Sequence, residues 1–397
     1  MDMVIKNGNI LCDGKLIHKD LCIRNGKIID GSLISGNYNV MDALGFKIFP
    51  GIIDVHNDSI ERLIVPMRKN LFLYENVIHE MIMRNFCNGI TCFYFSLSVS
   101  TEPGIRSVEC YNQLVHLIAK IRKHPLYKDN VKVQLRYEIT KDAKECIDDV
   151  NFSNIDMVCL NDHSPNGIMG WSEDKFIRNV NYRCALSESE MKELVCATKK
   201  GQIVEYETVQ HVLAKTKEYA IPIGVHDISS FSQMNNLGIV DIDFAEFPLN
   251  REICTYFTNK GIPVILGAPN ILNGKSQNGN ISSRDAIADG ICNILCSDYL
   301  HSSLLLSVYL LDKLKIKSLP EAWRMITENP AKAFGLTEKG SLKVSSDADF
   351  IILDDSYREP QIVATFVKGV PVYCNSFYSK LFNNRIENNS SKEFFNV

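Results

Sequence analysis

Residues 49–58 read Phe-Pro-Gly-Ile-Ile-Asp-Val-His-Asn-Asp. A Pro-Gly turn releases a short apolar run that stops at a histidine and a carboxylate. A run of that length, bounded by turn residues, reads as a buried strand. The same texture returns in GITCFYFSLS (89–98), VKVQLRYEIT (131–140), IDMVCLNDHS (155–164) and IPIGVHDIS (221–229), and again in VDIDFAEFP (240–248), IPVILGAPN (262–270) and ICNILCSDY (291–299). Between them lie stretches with helical periodicity, such as ENVIHEMIMRNF (75–86) and CYNQLVHLIAKIRKH (110–124). Strands alternating with helices predict a parallel α/β fold. About eight strands within residues 49–339 match the length of a (β/α)8 barrel. Residues 164–220 are numerous enough to hide another strand, so the strand count stays open.

Outward from this middle, both ends of the chain look different. MVIKNGNIL (3–11), DLCIRNGKIID (20–30) and NVMDALGFKIF (39–49) are short β-type runs, and Asn7-Gly8 and Asn25-Gly26 are hairpin signals. The pattern resumes after Gly340 in SLKVSSDADFIILDD, QIVATFVKG and VPVYC. Residues 1–48 and 340–375 are expected to form one small β domain, with a barrel at 49–339 and a polar tail at 376–397. Two independent hairpins packed on a central domain are the alternative. Ser318-Leu-Pro-Glu321 reads as a capping box with proline in the first turn.

The 397 residues are 45% hydrophobic and 23% charged, which suits a globular chain and excludes a disordered or collagen-like one. No apolar stretch approaches the ~20 residues of a membrane helix. A net charge of −4 argues against a nucleic-acid binder. Thirteen cysteines, odd in number and without a CxxC pair, read as reduced thiols. The N-terminus does not look like a secretory signal, and a cytoplasmic location is expected.

Polar residues gather where the predicted strands end: His56, Asp58, Glu138, His163, His226, Glu246 and Asp298. In a parallel barrel all those ends meet on one face, where active sites form. Imidazoles and carboxylates converging there make a ligand set for zinc, manganese or iron. His56 and Asp58 are two apart on a strand and point the same way, as do Arg136 and Glu138, and Asn161 and His163; Asp162 points away. Each residue alone has a plainer reading: a strand-end histidine can be a hydrogen-bonded core residue, Glu138 can pair with Arg136, and Asp298 can cap a helix. His79, His116, His124 and His211 read as surface residues, and His301 as either a neighbour of the site or a helix-face residue.

With these residues in place, the chain resembles the amidohydrolase superfamily. Pro50-Gly-Ile-Ile-Asp-Val-His56 looks like its opening strand, Asn329-Pro-Ala-Lys-Ala333 with Gly335-Leu336 like its closing helix, and Asp347-Ala-Asp-Phe-Ile351 like the return into its β-sandwich domain. The runs HNDSIERLIVP (56–66), LRYE (135–138), NDHSP (161–165), VHD (225–227), GAPN (267–270) and SDY (297–299) resemble its PhnM-type subgroup, diphosphatases that act on alpha-D-ribose 1-methylphosphonate 5-triphosphate in phosphonate breakdown. His56 followed by Asp58, where the superfamily usually has two histidines, carries much of that likeness. Asn57, Ser59, Ile228 and Gln277 depart from the subgroup's usual residues, and none is an expected ligand.

The resemblance implies a (β/α)8 barrel with a β-sandwich built from both termini. It implies one or two divalent ions, zinc first and manganese or iron otherwise, on His56, Asp58, Glu138, His163, His226 and Asp298. Glu138 would bridge, and Asp298 would also act as general base. The expected partner is a small phosphorylated ribose, with Glu61, Arg62, Arg136, Glu246, Asn270, Lys275, Asn278 and Asn280, and also Lys69, as candidate contacts. No nucleic acid or membrane is expected, and a homodimer is expected by analogy. Hydrolysis of a C–N bond in a cyclic amide, deaminase or N-acyl substrate is the first alternative, and a catalytically silent assembly partner the second.

Overall fold

The computed structural model describes residues 2–34, 36–66, 72–139, 147–165, 171–184, 186–200, 206–236, 238–239, 241–276 and 280–376. The chain opens with β1 (Met3–Cys12), β2 (Lys15–Arg24), β3 (Lys27–Ile29), β4 (Asn39–Asp42) and β5 (Lys47–Pro50). Eight strands follow: β6 (Ile52–Asn57), β7 (Ile90–Val99), β8 (Val131–Glu138), β9 (Met157–Asn161), β10 (Ile223–His226), β11 (Phe244–Glu246), β12 (Val264–Gly267) and β13 (Ile294–Cys296). It ends with β14 (Phe350–Asp354), β15 (Gln361–Val367) and β16 (Val370–Cys374). The contacts divide the chain into two compact units, residues 1–54, 82–93 and 301–397, and residues 55–81 and 94–300.

Strands β6 to β13 pair in the order of the sequence, each beside the next. A parallel bridge between Asn57 and Asp298 joins the last edge to the first and closes the (β/α)8 barrel. These are the eight runs read from the sequence. Among the described residues of 164–220 there are three helices, Glu173–Arg183, Glu188–Lys200 and Tyr206–Glu218, and no ninth strand beyond a bridge between Pro165 and Trp171. Two of the helices, with cores at Phe176, Val180, Met191 and Val195, pack on each other in a hydrophobic cluster of their own.

The terminal strands form one mixed sheet in the order β16-β15-β14-β5-β1-β2-β3, with β4 beside β1. Just before β14 the chain meets the turns at Gly26 and Gly369: Ala348 N donates to Gly26 O and Gly369 N to Ala348 O, both at 2.8 Å. The core of the sheet holds Ile5, Ile23, Ile48, Phe350 and Phe366, with the two phenylalanine rings stacked 4.4 Å apart. β5 carries this sheet to Pro50, past the expected limit at residue 48. The capping box at Ser318 is formed, with Glu321 Oε2 accepting from Ser318 N at 3.0 Å and from its Oγ at 2.6 Å. The expected tail lies outside the described residues from 377 onward.

One hairpin signal was misplaced. Asn25-Gly26 does turn β2 into β3, with φ of 50° and 76°. Asn7-Gly8 instead sits within β1, where Asn7 (φ 59°) accompanies a register shift against β2, and the turn falls at Asp13-Gly14. Asparagine tolerates the left-handed region that a bulge needs as well as a turn does, so the dipeptide alone does not separate them. Every cysteine among the described residues is a free thiol, and no described helix is long and apolar enough to cross a membrane.

Inside the barrel, Gly224 faces the ring of Phe244 on the next strand. A Cβ at Gly224 would come within 2.3 Å of that ring, so glycine lets a fully buried aromatic fill the layer beneath His226 and Glu246. Overpacking of this kind typically costs about 1–3 kcal/mol. Gly224→Ala is expected to lower the melting temperature, and Phe244→Leu added to it should recover part of the loss. A Gly224→Ala protein that melts like the wild type would show that this contact does not constrain the barrel.

Candidate active site

The closure of the barrel assembles the first part of the site. Asp298 N donates to His56 O at 3.1 Å and Asp58 N to Asp298 O at 2.9 Å, so the end of β6 and the residue beyond β13 are stitched together by their own backbones. Asp298 adopts φ 60°, as do Asp227 (55°) and Phe247 (48°) one residue after β10 and β11. These left-handed residues end strand alternation at the barrel mouth. Three groups of donor atoms result, each with its atoms within 4.8 Å: His56, Asp58 and Asp298; His56, His226 and Glu246; and His163, His226 and Asp227.

A hydrogen-bonded layer holds the imidazoles. Ser96 Oγ donates to Gln134 Oε1 at 2.6 Å, and Gln134 Nε2 to Glu246 Oε1 at 2.5 Å. The other Glu246 oxygen lies 3.1 Å from His56 Nδ1. Burial raises the Glu246 carboxyl, but the neighbouring histidines and their hydrogen bonds overrule it and hold it at about 2. Glu246 was expected to touch substrate; fully buried, with both oxygens engaged and lining neither of the cavities described below, it is placed to orient His56. Glu138 is committed in a similar way. It accepts from His163 N at 2.8 Å and lies 2.5 Å from His163 Nδ1, and it stands outside the three donor groups, where a bridging position was expected.

Arg136 crosses the middle of the site. Its Nη1 lies 3.3 Å from Asp58 Oδ2 and its Nη2 3.4 Å from His226 Nε2, while its buried Nε has no partner. His226 Nδ1 is likewise buried without a hydrogen bond, 3.4 Å from Asp227 Oδ2. Burial holds His226 below its ordinary pKa, in the neutral form that binds metals. Asp298 is pushed up to about 7 by burial and then by the charge of Asp58. Half-buried Asp58 and Asp298 converge with buried His56, and His226 stands beside them with a nitrogen that has no hydrogen bond; a divalent cation would satisfy such donors and favour the ionised form of Asp298.

Two cavities flank this cluster. The larger, about 550 Å³, is lined by Arg62, Arg106, Arg136, Arg178 and Arg183, with Asp58, Glu61 and His163 at its inner side. The smaller, about 190 Å³, shares Asp58 and Arg136 and continues past Phe247, Leu266, Asn270 and Asn280. Among the expected contacts, Arg62, Arg136 and Glu61 line the first, and Asn270 and Asn280 the second. Lys275 is exposed and lines neither, while Lys69 and Asn278 lie outside the described residues. Arg106, Arg178 and Arg183 were not foreseen; Arg178 and Arg183 come from the helix Glu173–Arg183, far from any strand end. Asp227 was also missed, because alternation points the residue after His226 away and only its positive φ brings it back.

Glu61 lies in the larger cavity under two guanidiniums. Arg106 grips both its oxygens at 2.9 Å. Burial raises Glu61, but the charges of Arg106 and Arg183 prevail and lower it from 4.5 to about 2. The ionised carboxylate thus contributes stability that is full above its unfolded pKa and lost as pH falls through about 2. A shift of that size corresponds to about 3 kcal/mol. Glu61→Gln is expected to lower the melting temperature at neutral pH and to flatten its decline below about pH 5. Curves for the two proteins that run parallel through the acid range would refute this.

Known proteins bear on the same residues. A family model described as amidohydrolase family matches residues 298–373. The chain is 23% identical over 363 residues to the alpha-D-ribose 1-methylphosphonate 5-triphosphate diphosphatase of Escherichia coli, covering 88% of this chain and 94% of that protein. A dihydroorotase of Lactobacillus helveticus is 44% identical over 57 residues, only 14% of this chain and 13% of that one. Among solved structures, a beta-aspartyl dipeptidase of Fervidobacterium islandicum superposes with a TM-score of 0.62 at 16% identity, covering 94% of this chain and 96% of that one. A dihydropyrimidinase of Brevibacillus agri gives 0.56 at 14% identity, with 94% and 95% covered. The family model over the closing segment and the near full-length relative both point to the amidohydrolase superfamily, and the barrel has the fold of its solved members.

Proposed function

We propose that this protein is a metal-dependent diphosphatase that cleaves a ribose 5-triphosphate, alpha-D-ribose 1-methylphosphonate 5-triphosphate, to the 5-phosphate and pyrophosphate, as a step in phosphonate breakdown. The observation that carries this reading is the arginine-lined cavity that reaches the donor cluster through Asp58, Arg136 and His163. Arg106 and Arg183 are held by Glu61 and Glu102, and Arg62, Arg178 and Arg136 are left to serve a polyphosphate; such a set has little to bind in a cyclic amide. The printed activity of the Escherichia coli relative supports the same substrate.

His56, Asp58, His226 and Asp298, with Asp227 and His163 beside them, would hold the ion, and zinc suits their mixed nitrogen and oxygen donors. A divalent ion bound there supplies Lewis acidity and lowers the pKa of coordinated water. Asp298 takes the proton of the attacking water. Arg136, buried between the donor groups, offers guanidinium N–H groups to a phosphoryl oxygen as charge builds on it. Glu246 and Glu138 keep His56 and His163 in the tautomer and rotamer that this requires.

Purified protein is expected to release pyrophosphate from ribose or nucleoside triphosphates and no ammonia from cyclic amides. Ammonia without phosphorus release would sink this reading. His226→Ala should lose both bound metal, by elemental analysis, and turnover while keeping its circular dichroism spectrum. Asp298→Asn is expected to lower kcat by about 10²–10⁴-fold. If Asp298→Asn retains full kcat, another group is the base.

A further inference from the structure

Resting on the diphosphatase reading, we infer the direction in which the substrate lies: the departing pyrophosphate sits in the arginine cavity, held by Arg62 and Arg178, and the sugar lies in the smaller cavity past Phe247 and Asn270. The two cavities share only Asp58 and Arg136 among their lining residues, so a molecule spanning both must cross the donor cluster. The scissile bond belongs at that crossing.

Charge distinguishes the ends. In the larger cavity, most guanidiniums are already committed. Arg106 forks onto Glu61, Arg183 onto Glu102 with contacts of 2.6–3.1 Å, and Arg136 faces Asp58 at 3.3 Å. Arg62 and Arg178 have no carboxylate partner among the described residues. Arg62 rests on the ring of Tyr299, 5.2 Å from its centroid, which positions the guanidinium without consuming its N–H groups. Arg178 spends only its Nε, at 3.3 Å on Asp174 O of its own helix, and its terminal nitrogens remain for a ligand. The two uncommitted charges therefore lie on the side away from the smaller cavity, and they match an anion that carries several charges.

Among the described residues, no Lys or Arg besides Arg136 lines the smaller cavity. Phe247, Leu266 and Ile281 give it apolar surface, and Asn270, Ser276 and Asn280 give it neutral donors and acceptors. That combination suits a sugar, whose hydroxyls need hydrogen bonds and whose carbon face needs contact.

The chemistry follows from the direction. The water oxygen bonds to the phosphorus nearest the sugar, and its proton passes to Asp298. The P–O bond to the second phosphoryl group breaks, and its electron pair leaves with pyrophosphate. Arg62 and Arg178 meet the charge that develops on that leaving group.

Calorimetric titration of the full-length protein with pyrophosphate alone tests the assignment. Arg62→Ala and Arg178→Ala should each weaken binding by about tenfold, with Arg178→Lys restoring part of it, and with melting temperatures near the wild type. Asn270→Ala should bind pyrophosphate as the wild type does. It should raise KM for a ribose triphosphate but leave that for inorganic tripolyphosphate unchanged. Hydrolysis in ¹⁸O-water should label the 5-phosphate. Pyrophosphate binding that is absent in the wild type, or indifferent to both arginines, overturns the assignment, as does label found in pyrophosphate. Phosphorus release from the triphosphate, measured separately on the wild type, decides the diphosphatase reading itself. Its presence alongside indifferent arginines would leave that reading standing and remove only this one.

Discussion

Two backbone hydrogen bonds, from Asp298 N to His56 O and from Asp58 N to Asp298 O, are the constraint on which the rest of the molecule depends. They join the first and last strands, and the residues that make them are themselves the acidic edge of the site. Fold and chemistry are thus coupled at one seam. Strand pairing has a period of two, so a slip of one residue at this seam would turn His56 away from the mouth. It would also separate Asp58 from Asp298. The burial of β6 on both faces, with Ile52, Ile53, Asp54, Val55 and His56 all at 1% exposure or less, is what holds the register.

The electrostatics around the seam are graded. Three arginine–carboxylate pairs, Arg183 with Glu102, Arg106 with Glu61 and Arg136 with Asp58, run from the helix Glu173–Arg183 to the end of β6. All of these charges but the half-buried Asp58 are largely desolvated, and pairing offsets most of that cost. What remains beyond the pairs is acid at the donor cluster and base at Arg62 and Arg178. A whole-chain charge of −4 hides this separation entirely. The same number that speaks against a nucleic-acid surface is compatible with an anion-binding chamber, because the field inside a cleft depends on which charges face it.

Much of this was legible in the sequence, and what was not has identifiable causes. The eight barrel strands were readable because each is an apolar run bounded by polar or turn residues, a local signal. His56, Asp58, His226 and Asp298 were readable because a parallel barrel sends every strand end to one face. Asp227 was not, since strand alternation sets it opposite His226 and only its positive φ brings it to the same mouth. The double commitment of Glu246 to Gln134 and His56 spans 112 and 190 residues, and no local pattern reports a pairing at that distance. Arg178 and Arg183 lie on a helix whose charged residues resemble any solvated face. Only the tertiary fold sets them on the wall of the larger cavity, Arg178 still exposed and Arg183 paired with Glu102.

The helices Glu173–Arg183 and Glu188–Lys200 carry a hydrophobic cluster that is theirs alone, built on Phe176, Val180, Cys184, Met191 and Val195. The part of the protein that supplies Arg178 and Arg183 therefore draws its own cohesion from within, while the donor cluster draws its cohesion from the strands. Polar contacts such as Arg183 with Glu102 and Cys184 Sγ with Pro103 O join the two. Remodelling this hairpin would change the wall of the larger cavity while the strands that carry the donor cluster keep their own packing, which is one way a single barrel fold can host different reactions.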